Sequence, residues 1–80
     1  MELIPYTVGC EVEFTRQEIK VLKMASDGHL NKEIADHLNI AETTVKRHRQ
    51  NCMHKLGIKG KQAMNRFLMK FKEWYVIKVP

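Results

Sequence analysis

Lys46, Arg47 and Gln50 are the side chains in this sequence best placed to do chemistry on a ligand. They lie in a run, residues 43–72, that holds nine basic residues and no acid. An arginine can donate two hydrogen bonds to guanine O6 and N7, a lysine can donate to the same acceptors, and a glutamine can pair with adenine. A merely solvated helix face usually mixes acids among its bases. Here the signs are segregated. Residues 1–42 carry eight acids against four bases, and residues 43–80 carry ten bases against one acid, Glu73. The halves therefore hold −4 and +9, which gives the formal net charge of +5. Such a split in so short a chain is the electrostatic footprint of a polyanion binder.

Other chemistries find less support. His48 and Cys52 stand at i, i+4, a spacing that can hold a metal, but no further His or Cys joins them at ligand spacing. We expect no metal and no cofactor. Cys10 and Cys52 are far apart and form no CxxC pair, which argues against a zinc knuckle or a disulfide framework. Cys52 reads as a small buried hydrophobe, and Cys10 falls in an N-terminal arm. Four histidines and scattered acids do not make an acid–base pair in a concave site, and no glycine-rich loop cradles a phosphate. We expect no enzyme activity and no small-molecule ligand.

The elements that would position these residues follow from periodicity and capping. Thr15 can cap a helix, with Glu18 completing a capping box and Phe14 and Ile19 at the staple positions. Ile19, Leu22 and Ala25, with Val21 alongside, line its inner face, and Gly28 supplies the stop. A second helix runs from about Asn31 to Leu38, and Asn39-Ile40-Ala41-Glu42 makes a tight turn. The third helix runs from about Glu42 to Leu56 and stops at Gly57. At about 100° per residue, Val45, Cys52 and Leu56 share its inner face. Lys46, Arg47, Gln50, Asn51 and His54 share the outer one. That layout lets one helix brace a second against the major groove of duplex DNA. After Gly60, Met64, Phe67, Leu68 and Phe71 form the i, i+3, i+4, i+7 stripe of a fourth helix, about Lys61 to Lys72. The tail 73–80 reads either as more helix or as a short extended segment. Residues 1–13 show no helical period, and Pro5 and Gly9 interrupt them, so they read as a loose arm or an edge extension.

The expected architecture is all-α, a four-helix bundle-like domain with a central helix-turn-helix spanning 14–72, with 1–13 as the arm and 73–80 as the tail. Eighty residues allow one domain, which buries only about 60% of its unfolded surface. No apolar run approaches the roughly 20 residues of a membrane span, and the start lacks the layout of a signal peptide. We expect a cytoplasmic protein with no membrane partner.

The segment FTRQEIKVLKMASDGHLNKEIADHLNIAETTVKRHRQNCMHKLGIKGK resembles the C-terminal DNA-binding domain of the LuxR/FixJ family of bacterial transcription regulators. NKEIA, TVK followed by His48, and KLG stand in family order and spacing. The short length is similar to stand-alone members that lack a sensor domain. The resemblance implies a four-helix domain whose third helix enters the major groove. By family position Lys46, Arg47 and Gln50 become base-edge candidates. Thr44, His48, Asn51 and Lys55 become candidates for phosphate contact or support, and Lys32, Lys59 and Lys61 for backbone contact.

The chain departs from the family pattern in several places. Leu30 and Ala41 occupy capping positions where the family usually has Ser, and a lost cap costs about 0.5–2 kcal/mol. Asn31 is a candidate to re-cap the second helix. Lys61 replaces the usual Arg, and Ala63 stands one residue early.

The stripe of the fourth helix first serves as core. Its surplus, Phe67, Leu68 and Phe71 together with Trp74 and the neighbouring Tyr75, is a candidate dimer surface, and the resemblance favours a homodimer on DNA. The expected function is that of a sequence-specific duplex DNA-binding transcriptional regulator, with residues 42–56 as the reading helix and RNA polymerase as a further candidate partner. Two alternatives remain. One is a protein-interaction adaptor on the same fold, binding an acidic protein. The other is a sigma-factor-like promoter-recognition region, which the RHRQN segment fits less well.

Overall fold

Thr15 starts the helical part of the chain by reciprocal capping. Its hydroxyl accepts from the Glu18 amide at 3.1 Å, and the Glu18 carboxylate accepts from the Thr15 amide at 2.8 Å. Helix α1 then runs Arg16–Ser26, with Phe14 and Ile19 both buried. At its far end His29 N–H donates to the Met24 carbonyl at 3.1 Å. Gly28 permits that closure by taking φ 91°, a value only glycine adopts without strain. The computed structural model describes residues 3–9 and 11–78, so Cys10 and the last two residues of the expected tail lie outside the described residues.

Helix α2 spans Asn31–Leu38. The Leu30 side chain offers no acceptor, and the start is closed instead by Glu33, whose carboxylate accepts from the Leu30 amide at 2.8 Å. Asn31, the expected replacement, points its carboxamide elsewhere. Asn39 turns the chain in the left-handed region at φ 57°, where asparagine is among the few side chains that sit comfortably. Helix α3 spans Glu42–Leu56, starts at Ala41 with no side-chain cap, and ends at Gly57 in the left-handed conformation.

Two expectations are corrected. The chain is not strictly all-α. Leu3–Tyr6 (β1) and Val12–Thr15 (β2) pair as an antiparallel hairpin, with Ile4 opposite Phe14 and Tyr6 opposite Val12. The cause is a period-two face: Ile4, Tyr6, Val12 and Phe14 alternate inward along both strands. Each strand has only four residues, and Pro5 and Gly9 mask the pattern. The hairpin is no loose arm, because Tyr6 is 1% exposed and its ring meets Phe67 and Trp74 edge-on at 5.5 and 5.1 Å. Of the two readings open for the tail, more helix is the one found: the fourth helix, α4, runs Lys61–Lys78, past the expected end at Lys72. Trp74 extends its buried stripe by one turn against Tyr6 and Phe71.

The core is thus a helical layer capped by a small sheet. Val21 and Leu22 from α1, Ile34 from α2, Val45 and Cys52 from α3, and Phe71 from α4 are fully buried together with Phe14. Lys72 reaches Asp27 at 3.4 Å and ties α4 to the end of α1, where Lys23 also pairs with Asp27 at 2.6 Å.

Candidate nucleic-acid interface

Helix α3 has a buried side and an open side, and the partition follows from its sequence. Val45 and Cys52 seal its inner side. Lys46, Arg47, Gln50 and His54 are all exposed, and at about 100° per residue they fall within one arc opposite Val45. The base-edge candidates are therefore brought together on one outward face. Asn51 is exposed at the margin of this arc, while Thr44 and His48 are half-buried, His48 beside the start of α1. Lys32 is exposed in the first turn of α2, and Lys59 and Lys61 are exposed around the turn into α4.

Lys55 is exposed as well, but its ammonium is engaged within the domain. Its ammonium donates to Glu18 Oε1 at 2.7 Å and to the Glu13 carbonyl at 3.1 Å, and it lies 5.8 Å from the centre of the Phe14 ring. Of the two roles considered for it, phosphate contact or support, these bonds are what support would require. Lys55 holds the far end of α3 to β2 and to the start of α1. The Glu18 carboxylate is almost fully enclosed. Burial alone would raise its pKa, but the Lys55 hydrogen bond, then the Thr15 amide and the Lys55 charge, outweigh burial and hold it below the ordinary value.

Two residues that hold α3 in place were not legible as such in the sequence. Arg49 Nη1 donates to Asn31 Oδ1 at 2.8 Å. This bond fastens the middle of α3 to the first residue of α2, and so fixes how the two helices of the helix-turn-helix cross. The available signal was helical phase, since Arg49 lies only about 40° from Val45 and so cannot point fully outward. Glu18 was legible as a cap. Its bond to Lys55, 37 positions away, was not.

The dimer candidates Phe67, Leu68, Phe71 and Trp74 are all buried in the protomer's own core, at 8, 7, 0 and 7% exposure. The exposed apolar residues of α4 are Met69, Val76 and Ile77. The Cys52 thiol is fully buried. Burial, then the nearby Glu18 charge, push its pKa up to about 12. A thiol so protonated is a poor metal ligand and a poor nucleophile. Among the described residues no group of three or more His, Cys, Asp or Glu converges as a metal site, and no helix is long and apolar enough to cross a membrane.

Comparison with known proteins agrees with this geometry. The GerE family model, described as bacterial regulatory proteins of the luxR family, matches residues 12–68. The oxygen regulatory protein NreC of Staphylococcus aureus, in strains JH9, JH1 and Mu3, is 34% identical over 58 residues. The match covers 72% of this chain and 27% of NreC, so the chain spans about a quarter of the length of these relatives. The matched span includes β2, the whole helix-turn-helix and the first part of α4, and on that ground the chain belongs to the LuxR family of bacterial regulatory proteins.

Proposed function

We propose that this chain reads duplex DNA sequence-specifically as part of a cytoplasmic transcription regulator, with α3 in the major groove. The observation that carries the reading is the outward arc of α3. Lys46, Arg47 and Gln50 stand exposed together there with no acid among them, on a helix locked to α2 through Arg49 and Asn31. Those three side chains would contact base edges. Lys32, Lys59 and Lys61 would contact phosphates, with Thr44, His48 and Asn51 on the flank adding to them. Lys55 supports the helix from behind. The output, activation or repression, would follow from where the bound site lies relative to a promoter, and RNA polymerase is the partner that such occupancy would recruit or exclude.

A single reading helix spans few base pairs, and two copies on half-sites about one helical turn apart would supply the missing specificity. In this chain the surface open to such pairing is the outer side of α4, where Met69, Val76 and Ile77 are each more than 70% exposed. Phe67, Leu68, Phe71 and Trp74 would support that surface from beneath.

Selection of genomic fragments on the purified protein, followed by footprinting, tests the reading. The expected result is one enriched pseudo-palindrome, bound with a steep salt dependence of about −0.9 in log K per log salt for each neutralised phosphate. Weak, sequence-blind binding together with tight capture of an acidic protein would overturn it in favour of an adaptor.

A further inference from the structure

Beside the reading face the structure forms a groove between the start of α1 and the flank of α3, of about 400 Å³. Gln17 and Lys20 line it from α1, and His48 and Asn51 from α3, with Arg16 at its edge. Among the described residues its one acid is Glu18, and that carboxylate is 5% exposed and already bound to Lys55 and to the Thr15 amide. Among the described residues the groove therefore presents hydrogen-bond donors and the Lys20 ammonium, with the Glu18 charge neutralised from within.

Its position matters as much as its charge. On α3, Asn51 follows Arg47 by one turn and His48 is its next neighbour in sequence, so the groove opens directly off the edge of the reading arc. The major groove is about 12 Å wide, close to the diameter of a helix with its side chains, about 10–12 Å. A helix seated there has a row of phosphates along each flank. Lys61, with Arg49 behind it, stands on one flank of α3. The groove lined by α1 stands on the other.

We infer that α1 supplies a second phosphate track, in which Lys20 and Gln17 grip the DNA backbone on the strand beyond His48 and Asn51. This inference rests on the proposed reading of duplex DNA. It adds α1 residues that neither the helix-turn-helix pattern nor the family match assigns. The track is indifferent to base sequence, so it contributes equally to specific and random duplexes and sets how α3 is tilted in the groove. Lys20 is exposed, so its removal leaves the core untouched.

The test is fluorescence anisotropy on a selected duplex and a scrambled one, from 50 to 200 mM salt. The proteins compared are wild type, Lys20→Ala, Gln17→Ala and the control Lys70→Ala, which removes the same charge from α4, outside the α1 groove. Lys20→Ala should weaken both duplexes by the same factor and lower the magnitude of the salt slope by about 0.9, which is about threefold in affinity across that salt range. Gln17→Ala should weaken both duplexes without changing the slope. Lys70→Ala should match wild type. If wild type binds and the two α1 variants behave like Lys70→Ala, the second track is wrong and the reading of DNA by α3 stands. If wild type binds neither duplex, both ideas fall together.

Discussion

Replacing Glu18 tests whether α3 is held from behind as the structure describes. Its Oε1 accepts two hydrogen bonds, from the Thr15 amide at 2.8 Å and from the Lys55 ammonium at 2.7 Å. Glu18→Ala leaves the Thr15 N–H without an acceptor in a part-buried place, at a cost of about 1–3 kcal/mol. It also removes a charge-assisted bond that would count about 1.5–3 kcal/mol if fully enclosed. Lys55 is 34% exposed and keeps the Glu13 carbonyl, so water recovers part of that second loss. The expected total is about 2–4 kcal/mol, a large share of the stability of an 80-residue domain. Glu18→Gln can still accept from Thr15 and loses only the charge, so it should cost about 1–2 kcal/mol.

The pH dependence supplies a sign that packing alone would not. Folding lowers the Glu18 pKa below its ordinary value of 4.5. Its contribution is therefore complete above about pH 4.5 and is lost as pH falls through the lower folded value. Urea unfolding of wild type and Glu18→Gln should differ most at neutral pH and converge at strongly acidic pH. A Glu18→Ala variant within 0.5 kcal/mol of wild type at pH 7, or a gap that widens on acidification, would refute this account of how α3 is anchored.

Three further outcomes follow from individual sites. Ala41 begins α3 with no side-chain cap and an extended backbone, φ −71° and ψ 147°, so Ala41→Ser should stabilise the domain by roughly 0.5–1 kcal/mol in urea or thermal unfolding; no gain would show that the first turn is already satisfied. In a Cys10→Ser background the remaining thiol, Cys52, should react with a thiol reagent only at the rate of unfolding, because it is fully buried and its pKa is pushed up to about 12; fast labelling under native conditions would contradict its placement. Met69→Glu, a charge placed on the exposed side of α4, should abolish cooperative binding to full sites in a band-shift assay while half-site binding persists, provided circular dichroism shows the variant folded. Unchanged cooperativity would remove α4 from the dimer proposal.

The helical part of this fold was legible because each helix carries its own signals. Thr15 with Glu18 gives a start, Gly28 and Gly57 give stops, and the 3.6-residue period of α3 separates Val45 and Cys52 from Lys46, Arg47 and Gln50. The hairpin was hidden because four-residue strands leave period two only two repeats to show, and Pro5 sits in the middle of one. Its consequence was hidden with it. Phe67, Phe71 and Trp74 looked surplus to the needs of three helices, but the unforeseen Tyr6 lies against all three rings. Leu68→Glu, which an outward-facing stripe would suggest as a dimer probe, would instead strike the core. The long-range ties were illegible for a simpler reason. Arg49 with Asn31 and Lys55 with Glu18 join residues 18 and 37 positions apart, and no local pattern specifies which acid or amide a given base will meet.

The orientation of α3 is the central claim, and a comparison of specificity ratios tests it most directly. Affinity for a selected duplex and for a scrambled one would be measured at one salt concentration for wild type, Arg47→Ala, Gln50→Ala, Lys59→Ala and Lys61→Ala. With α3 in the major groove, Arg47→Ala and Gln50→Ala should each cost on the order of 1–3 kcal/mol at the selected site and much less at the scrambled one. Lys59→Ala and Lys61→Ala should weaken both duplexes about equally. Equal loss on both duplexes in all four variants would contradict the placement of α3 against base edges.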